Sequence, residues 1–197
     1  MEIVDLKKSG IAAAVGRTVG VLRTPGKVAV VPTETVYGIV AKVDPAGSDR
    51  IYALKHRAAN KRLGWFVGDW RLLEEYGVKL TPLVVRLSEL YTPGAITIIA
   101  PDVSGNGIGF RVPDHPFLSA LLAELKCPLL QTSANLSGEP ESLSLASALA
   151  HLIGEADLAV DGGALPAGSL ASTVVDARSD RPVILRQGAL ELDMSRV

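Results

Sequence analysis

Cysteine is almost absent from this sequence, which carries Cys127 as its one thiol among 197 residues. A single cysteine cannot form a disulfide within the chain, so apolar burial must hold the fold together. A chain of this length buries roughly two thirds of its unfolded surface, which suffices without cross-links. The apolar segment LKCPLL around Cys127 favours a buried small side chain. The 3 histidines are widely separated and give no metal-ligand spacing, so no protein-held metal is expected.

Long apolar runs and an excess of either charge are absent as well. No run of about 18 apolar residues is present, which argues against a membrane-spanning helix. The stretch MEIVDLKKSG lacks the basic region and apolar core of a secretion signal, so we expect a cytoplasmic protein. The formal net charge is -1 and the pI is about 6.3. The surface as a whole is therefore not suited to a nucleic-acid backbone, although 20 lysines and arginines allow a local basic groove.

Standard nucleotide-binding and nucleophile motifs are also missing. The sequence contains no GxxxxGKS/T or GxGxxG phosphate loop and no GxSxG nucleophile elbow. If this chain binds ATP, it must do so through another arrangement of backbone and cationic side chains.

Segments with helical and strand periodicity alternate along the chain. Because several strands follow one another without a helix between them, we expect an α/β fold of α+β-like character, with a mixed sheet and flanking helices. Ser9 is predicted to cap the first helix, and Ser48 or Asp49 the second. One domain is predicted over 1–197, with 1–8 as a flexible tail or a short edge segment. The predicted helices are 9–24, 47–57, 69–76, 82–91, 115–126 and 144–154, and the strands are 27–31, 63–67, 95–100, 107–112, 128–133 and later ones in DLAVDGG, STVVDA and RPVILR.

Two polar stretches follow buried strands, at the kind of position where open α/β sheets bind ligands. PTETVYG places Thr33 and Thr35 directly after a strand, and SANLSG does the same with Ser133 and Asn135. Hydroxyl and amide groups there suit a nucleotide or an amino-acid carboxylate. A turn whose polar side chains bond to their own backbone explains each stretch equally well.

Clustered cations are a further feature. Lys55 and Arg57 lie at a helix end with Lys61 and Arg62 close behind, and such a cluster suits phosphate. The alternative is a solvated helix C-terminus, where cations are favoured in any case. Arg111 and Arg186 each stand in or at the end of an apolar strand. Each therefore needs an anionic partner, which is either a ligand or a structural salt bridge.

Taken in order, the motifs PTETVYG, KHR, RVPDHP, SANLSG, STVVD and ILRQG resemble those of the YrdC/Sua5/TsaC family, the threonylcarbamoyl-AMP synthases. The resemblance implies a twisted sheet around a large, open, positively charged cavity, in the single-domain form of the family. It also implies a nucleotidyltransferase that joins L-threonine, bicarbonate and ATP into L-threonylcarbamoyladenylate and releases pyrophosphate. The product would serve the t6A modification of adenosine 37 in tRNA.

The same resemblance implies roles for individual side chains. Lys55 and Arg57 are implied as catalytic residues that hold the ATP phosphates. Mg2+ is expected with ATP, held mostly by phosphate and water. Other expected partners are tRNA or other RNA and the downstream threonylcarbamoyl transferase proteins. The remaining residues implied to bind ATP are Lys61, Asn135, Ser142, Ser144 and Arg186, and those implied to bind threonine are Thr33, Thr35, Arg111, Ser133 and Ser172.

The sequence departs from the family pattern near the expected amino-acid pocket. Ala58 follows the KHR motif where proline is usual, and Ala95 ends TPGA where the family often has WPGP. Phe66 stands about where a polar or small residue would meet the threonine. These departures favour a second hypothesis, a paralogue with another acceptor or with a double-stranded RNA or tRNA-binding role. A non-catalytic scaffold is a third.

Overall fold

The structure is a computed structural model that describes residues 1–56, 58, 61–136 and 138–197. The helices of these ranges are α1 (Leu6–Leu22), α2 (Pro45–Lys55), α3 (Pro82–Tyr91), α4 (Pro116–Leu125) and α5 (Leu145–Ala150), with short 3-10 helices at Trp70–Tyr76 and Met194–Arg196. The strands are β1 (Glu2–Asp5), β2 (Val28–Val31), β3 (Gly38–Lys42), β4 (Gly64–Phe66), β5 (Ile96–Ala100), β6 (Ile108–Arg111), β7 (Leu129–Ser133), β8 (Leu158–Asp161), β9 (Thr173–Asp176) and β10 (Val183–Arg186).

These strands form one mixed sheet in the order β1-β8-β2-β3-β7-β4-β6-β5-β9-β10. Antiparallel pairing of β3 with β7 sets Gly38 opposite Ser133. Parallel pairing of β4 with β6 sets Phe66 opposite Arg111. The mixed sheet predicted from the sequence is confirmed. Its register brings the end of PTETVYG beside the start of SANLSG, although the two motifs are far apart in the chain.

One strand was predicted only as an alternative, and another was missed. Residues 2–5, expected to be a tail or a short edge segment, form the edge strand β1, which runs parallel to β8. Strand β3 directly follows the PTETVYG turn and is buried over most of its length. A short strand that is covered on both faces has no polar alternation along it, so periodicity did not reveal it.

The predicted helix starts were wrong at two caps. Asp5, not Ser9, caps the start of α1 at Leu6 by accepting the backbone N–H groups of Lys7 and Lys8, and α1 is kinked at Gly10, whose φ of 76° and ψ of 162° are not helical. Asp44 caps α2 by accepting the N–H of Gly47, in place of the predicted Ser48 or Asp49. In both helices the aspartate immediately precedes the first helical residue, where a carboxylate satisfies otherwise unpaired N–H groups.

Apolar clusters cover the sheet on both faces. In β2, Ala29 and Val31 belong to the cluster that includes α1 and α4, whereas Val28 and Val30 belong to the cluster beneath α2 and α5. This alternation follows from the two-residue period of a strand. Cys127, expected to be buried, is partly exposed. None of the helices in the described ranges is long and apolar enough to cross a membrane.

A third cluster covers only one face of the other half of the sheet. Ile96 and Ile98 of β5 and Phe110 of β6 pack into it with α3 residues. The alternate positions of the same strands, among them Thr97 and Arg111, point to the opposite face and line an open cavity. The fold therefore leaves the polar face of β5, β6 and β9 accessible to ligands.

Candidate functional site

The open cavity has a volume of about 440 Å³. Its walls come from the turn before β3, the ends of β6, β7 and β10, and the segment before β9. Segments that are distant in sequence thus meet at one place. The residues predicted for the site that line this cavity are Thr33, Thr35, Arg111, Ser133, Ser172 and Arg186.

The PTETVYG turn is held by the Thr33 hydroxyl. This hydroxyl donates to the carbonyl of Val36 at 2.7 Å and accepts the N–H groups of Thr35 and Val36 at 3.0 and 3.1 Å. The Thr33 and Thr35 hydroxyl oxygens lie 2.9 Å apart. The self-bonded turn considered above is therefore present, and it also sets both threonines in the cavity wall.

Arg111 ends β6 with a guanidinium that is held on three sides. Its Nε donates to the carbonyl of Gly94 at 3.2 Å, its Nη1 donates to the Thr35 hydroxyl at 2.9 Å, and its Nη2 lies 2.7 Å from Oε1 of Glu34. Arg111 thus has the structural salt bridge that was one of the two predicted partners, and this bridge is formed with Glu34. Burial lowers the pKa of Arg111, Glu34 raises it, and the positive charge of Arg186 lowers it again. An anion bound near Arg111 and Arg186 would relieve this repulsion.

Sequence reasoning missed Glu34 as the partner of Arg111. Its Oε1 also accepts the N–H of Asp114 at 2.9 Å, so this carboxylate ties the turn before β3 to the segment after β6. In the same segment, burial lowers the pKa of His115, against the raising effect of Glu34 and Asp114. The sequence indicates that an arginine at a strand end needs an anionic partner. It does not indicate which carboxylate is that partner.

Lys55 lies behind the wall formed by the end of β7. It is 1% exposed, and its Nζ donates to the Thr132 hydroxyl at 3.2 Å and to the carbonyl of Ser133. The Ser133 hydroxyl donates to Oδ1 of Asn135 at 2.5 Å, and Nδ2 of Asn135 donates to the carbonyl of Glu139 at 2.7 Å. Ser133 lines the cavity, whereas Lys55 and Asn135 order the segment around it.

Ser172 and Arg186 form the opposite wall. Arg186 donates from Nε and Nη2 to the carbonyl of Ser172 at 3.2 and 2.8 Å. The Ser172 hydroxyl lies 2.8 Å from the hydroxyl of Thr97 in β5. The end of β10 and the start of β9 are thereby held together at the cavity edge.

Two further arginines of the wall were not among the residues implied to bind ATP or threonine, although Arg62 belongs to the predicted cation cluster. Arg62 donates to the carbonyl of Gly107 at 2.9 Å, and Arg178 donates to the carbonyl of Asn106 at 3.3 Å. Both acceptors belong to the turn between β5 and β6. Among the described residues that line the cavity, the arginines are Arg62, Arg111, Arg178 and Arg186, and the one carboxylate is Glu141.

The other predicted ATP-binding residues do not line this cavity in the described ranges. Ser142 is buried and donates to the carbonyl of Ala134 at 2.9 Å, and Ser144 caps α5 by accepting the N–H of Ser147 at 3.2 Å. Lys61 is exposed. Arg57 lies outside the described residues. The roles expected for these residues in ATP binding stay predictions.

Phe66, noted as a departure from the family pattern, does line the cavity. It is 1% exposed, and its ring centroid lies 5.9 Å from Cζ of Arg111. An apolar ring at this position removes hydrogen-bonding capacity from the wall beside Arg111. The departure therefore falls inside the candidate site.

The protein is thus an α/β protein with an arginine-lined ligand cavity on the open face of its mixed sheet. Sequence comparison identifies its family. The Sua5, YciO and YrdC family model, described as telomere recombination, matches residues 22–188. The protein belongs to this Sua5/YciO/YrdC family. The threonylcarbamoyl-AMP synthase of Bacillus subtilis is 34% identical over 171 residues, which cover 81% of this chain and 49% of that protein. The chain spans about half the length of the first curated relatives it matches.

Solved structures share the fold. Pyrococcus abyssi Sua5 complexed with L-threonine is 28% identical with a TM-score of 0.84, over 95% of this chain and 58% of that chain. E. coli YciO is 25% identical with a TM-score of 0.82, over 98% of this chain and 97% of that chain. The predicted fold, a twisted mixed sheet with flanking helices, is confirmed by these matches.

Proposed function

We propose that this protein is an enzyme that joins L-threonine, bicarbonate and ATP into L-threonylcarbamoyladenylate and releases pyrophosphate. The related protein named threonylcarbamoyl-AMP synthase and the Sua5 structure with L-threonine support this proposal. The observation that carries it is the meeting of separate motifs in one cavity, through Thr33, Thr35, Arg111, Ser133, Ser172 and Arg186.

The proposed chemistry proceeds in two steps. The amine of threonine and bicarbonate first lose water and form a carbamate. A carbamate oxygen then bonds to the α-phosphorus of ATP, the bond from that phosphorus to the bridging oxygen breaks, and pyrophosphate leaves. The carbamate and the triphosphate are both anions, so cations must offset their repulsion and hold them in line.

The cavity wall offers such cations on two sides. Arg111, with the Thr33 and Thr35 hydroxyls beside it, is the proposed contact for the threonine carboxylate. Arg186 is the proposed contact for the ATP phosphates. We assign Lys55 a positioning role, because its bonds to Thr132 and Ser133 fix the end of β7.

Mg2+ is proposed to arrive bound to the triphosphate. Among the described residues there is no group of three or more histidine, cysteine, aspartate or glutamate side chains that could hold a metal ion. A cation held by phosphate oxygens and water fits this wall, because Mg2+ retains several waters when it binds with nucleotides. The product would then pass to threonylcarbamoyl transferase proteins that act on tRNA.

The test is to incubate the protein with ATP, threonine, bicarbonate and Mg2+ and to measure threonylcarbamoyl-AMP and pyrophosphate by mass spectrometry. Arg186→Gln should lower the rate by about a hundredfold, since it removes a charged donor at the developing transition state. Arg181→Gln, outside the cavity lining, is the matched control and should stay within about twofold of wild type. If folded wild-type protein forms no threonylcarbamoyl-AMP even when its concentration equals that of the substrates, the proposal is wrong.

Phe66 favours a second candidate, the same reaction with another acceptor. Its ring packs in the apolar cluster with α1 and α4 and lies beside Arg111, at the proposed amino-acid side of the cavity. Testing a panel of amino acids in the same assay shows whether threonine or another amino acid is the preferred acceptor. If an apolar amino acid gives more carbamoyl-adenylate than threonine does, threonine is not the preferred substrate.

A further inference from the structure

Glu141 differs from the other charged groups of the cavity. It lies between β7 and α5, is partly buried, and is the one carboxylate among the described residues that line the cavity. Its Oε2 atom is buried and has no hydrogen-bond partner in the described part of the chain. A carboxylate oxygen removed from water without a donor is costly. Because Glu141 lines the cavity, a rotation of its side chain would bring this oxygen to a donor that a ligand supplies.

The backbone next to Glu141 is fixed by contacts with three other segments. The Ser142 hydroxyl donates to the carbonyl of Ala134 at 2.9 Å, and the carbonyl of Ser142 accepts the N–H of Tyr37 at 2.9 Å. The carbonyl of Leu143 accepts the N–H of Leu165 at 2.8 Å. Because this segment is anchored, the backbone that carries Glu141 is fixed beside the cavity before any ligand binds.

Charge limits what can meet this carboxylate. Three arginines of the wall, Arg62, Arg111 and Arg178, pair with Asp102, Glu34 and Asp176, and no ion pair with Glu141 is found among the described residues. Phosphate and carboxylate groups are attracted to the arginines and repelled by Glu141. The ligand group at Glu141 is therefore a neutral or cationic donor.

We propose that Glu141 accepts hydrogen bonds from the ribose hydroxyls of the bound nucleotide. This inference rests on the proposed function, because it takes ATP to occupy this cavity. The 2′ and 3′ hydroxyls are adjacent neutral donors, and a carboxylate offers two acceptor oxygens to such a pair. The phosphates offer no donor, and adenine offers one amino group. Glu141 is thus a specificity-determining residue that selects a ribonucleotide.

The test compares nucleotide binding by isothermal titration calorimetry with Mg2+ present. Wild-type protein should bind ATP about tenfold more tightly than 2′-deoxyATP or 3′-deoxyATP, since each analogue lacks one donor to a charged acceptor. In Glu141→Gln, ATP binding should weaken about tenfold while binding of the deoxy analogues changes much less. The discrimination between ATP and its analogues should therefore collapse in this variant.

Glu139→Gln is the matched control, since it removes the same charge from an exposed side chain of the same segment. It should keep the wild-type discrimination, and a thermal melt of Glu141→Gln checks that the variant folds. If wild type binds ATP and the deoxy analogues equally, or if Glu141→Gln weakens threonine binding and leaves the discrimination intact, the ribose assignment is overturned while the proposed function stands. If wild type binds no ATP, the proposed function fails and the assignment fails with it.

Discussion

At the scale of single residues, two ion pairs of this protein have equal lengths and different surroundings. Arg111 and Glu34 lie 2.7 Å apart with side chains 5% and 19% exposed. Arg17 and Glu2 also lie 2.7 Å apart, but their side chains are 53% and 50% exposed. Water screens the second pair and reaches the first only in part. The free-energy consequences of breaking the two pairs therefore differ.

Glu34→Gln should lower the free energy of unfolding by about 2 kcal/mol, because it leaves the buried Arg111 guanidinium without a counter-charge. Glu2→Gln, which breaks an exposed pair of the same length, should cost less than about 0.5 kcal/mol. Urea denaturation at neutral pH measures both values. Equal effects of the two substitutions would contradict the view that Arg111 depends on Glu34.

Residue chemistry was only partly predictable from the sequence. An arginine at the end of an apolar strand needs an anion, and that requirement was clear for Arg111. The identity of the anion was not, because Glu34 reaches Arg111 only after β6 and the turn before β3 are brought together. The same holds for Glu141, whose unpartnered oxygen exists only in the folded cavity.

At the scale of elements, two helices contain glycine in different surroundings. In α2, a Cβ added to the buried Gly47 would lie 2.7 Å from the carbonyl oxygen of Lys42 and 3.0 Å from Cβ of Ala41. In α1, a Cβ added to Gly20 meets nothing within 4 Å. Gly47 thus allows close contact between α2 and β3, whereas Gly20 contributes only flexibility of the unfolded chain.

Opposite signs are expected for the two alanine substitutions. Gly20→Ala should stabilise the protein by about 0.5–1 kcal/mol through helix propensity. Gly47→Ala should destabilise it by about 1–3 kcal/mol, since overpacking against backbone exceeds that gain. Thermal and urea denaturation of both variants provide the measurement. A stabilising Gly47→Ala would show that α2 is free to move away from β3.

Element prediction succeeded for helices with a clear apolar period and for most strands, but it missed β3. The predicted helix 82–91 coincides with α3, because proline in the first turn marks its start. Strand β3 was missed because Val40 packs into the apolar cluster on one face of the sheet and Ile39 and Ala41 into the cluster on the other, which removes any polar alternation. Helix caps were misplaced because several acidic and hydroxyl residues compete near each helix start.

At the scale of the whole molecule, the segment after β10 holds the cavity wall in place. The Thr173 hydroxyl donates to the carbonyl of Leu190 at 2.5 Å and accepts the N–H of Gly188 at 3.0 Å. Thr173 adjoins Ser172, whose carbonyl accepts the Arg186 guanidinium. One buried hydroxyl thus links the segment after β10 to a wall of the cavity.

Thr173→Val should lower the free energy of unfolding by about 1–2 kcal/mol, because an isosteric methyl leaves the Gly188 N–H without this acceptor and removes one of the donors to the Leu190 carbonyl. It should also weaken ATP binding by moving Ser172 and Arg186. Thr173→Ser retains the hydroxyl and should restore most of both properties. If the valine variant binds ATP with wild-type affinity, the segment after β10 does not support the cavity.

The sequence by itself determined the α/β class, most helices, the polar turns after buried strands and the motif order that indicates the family. These features depend on residues near one another in the chain, where periodicity and turn chemistry act directly. The tertiary structure alone decided that Glu34 neutralises Arg111, that Lys55 supports Ser133 from behind, and that Glu141 faces the cavity. Such pairings depend on the strand order, in which neighbours such as β3 and β7 or β5 and β9 are distant in the chain.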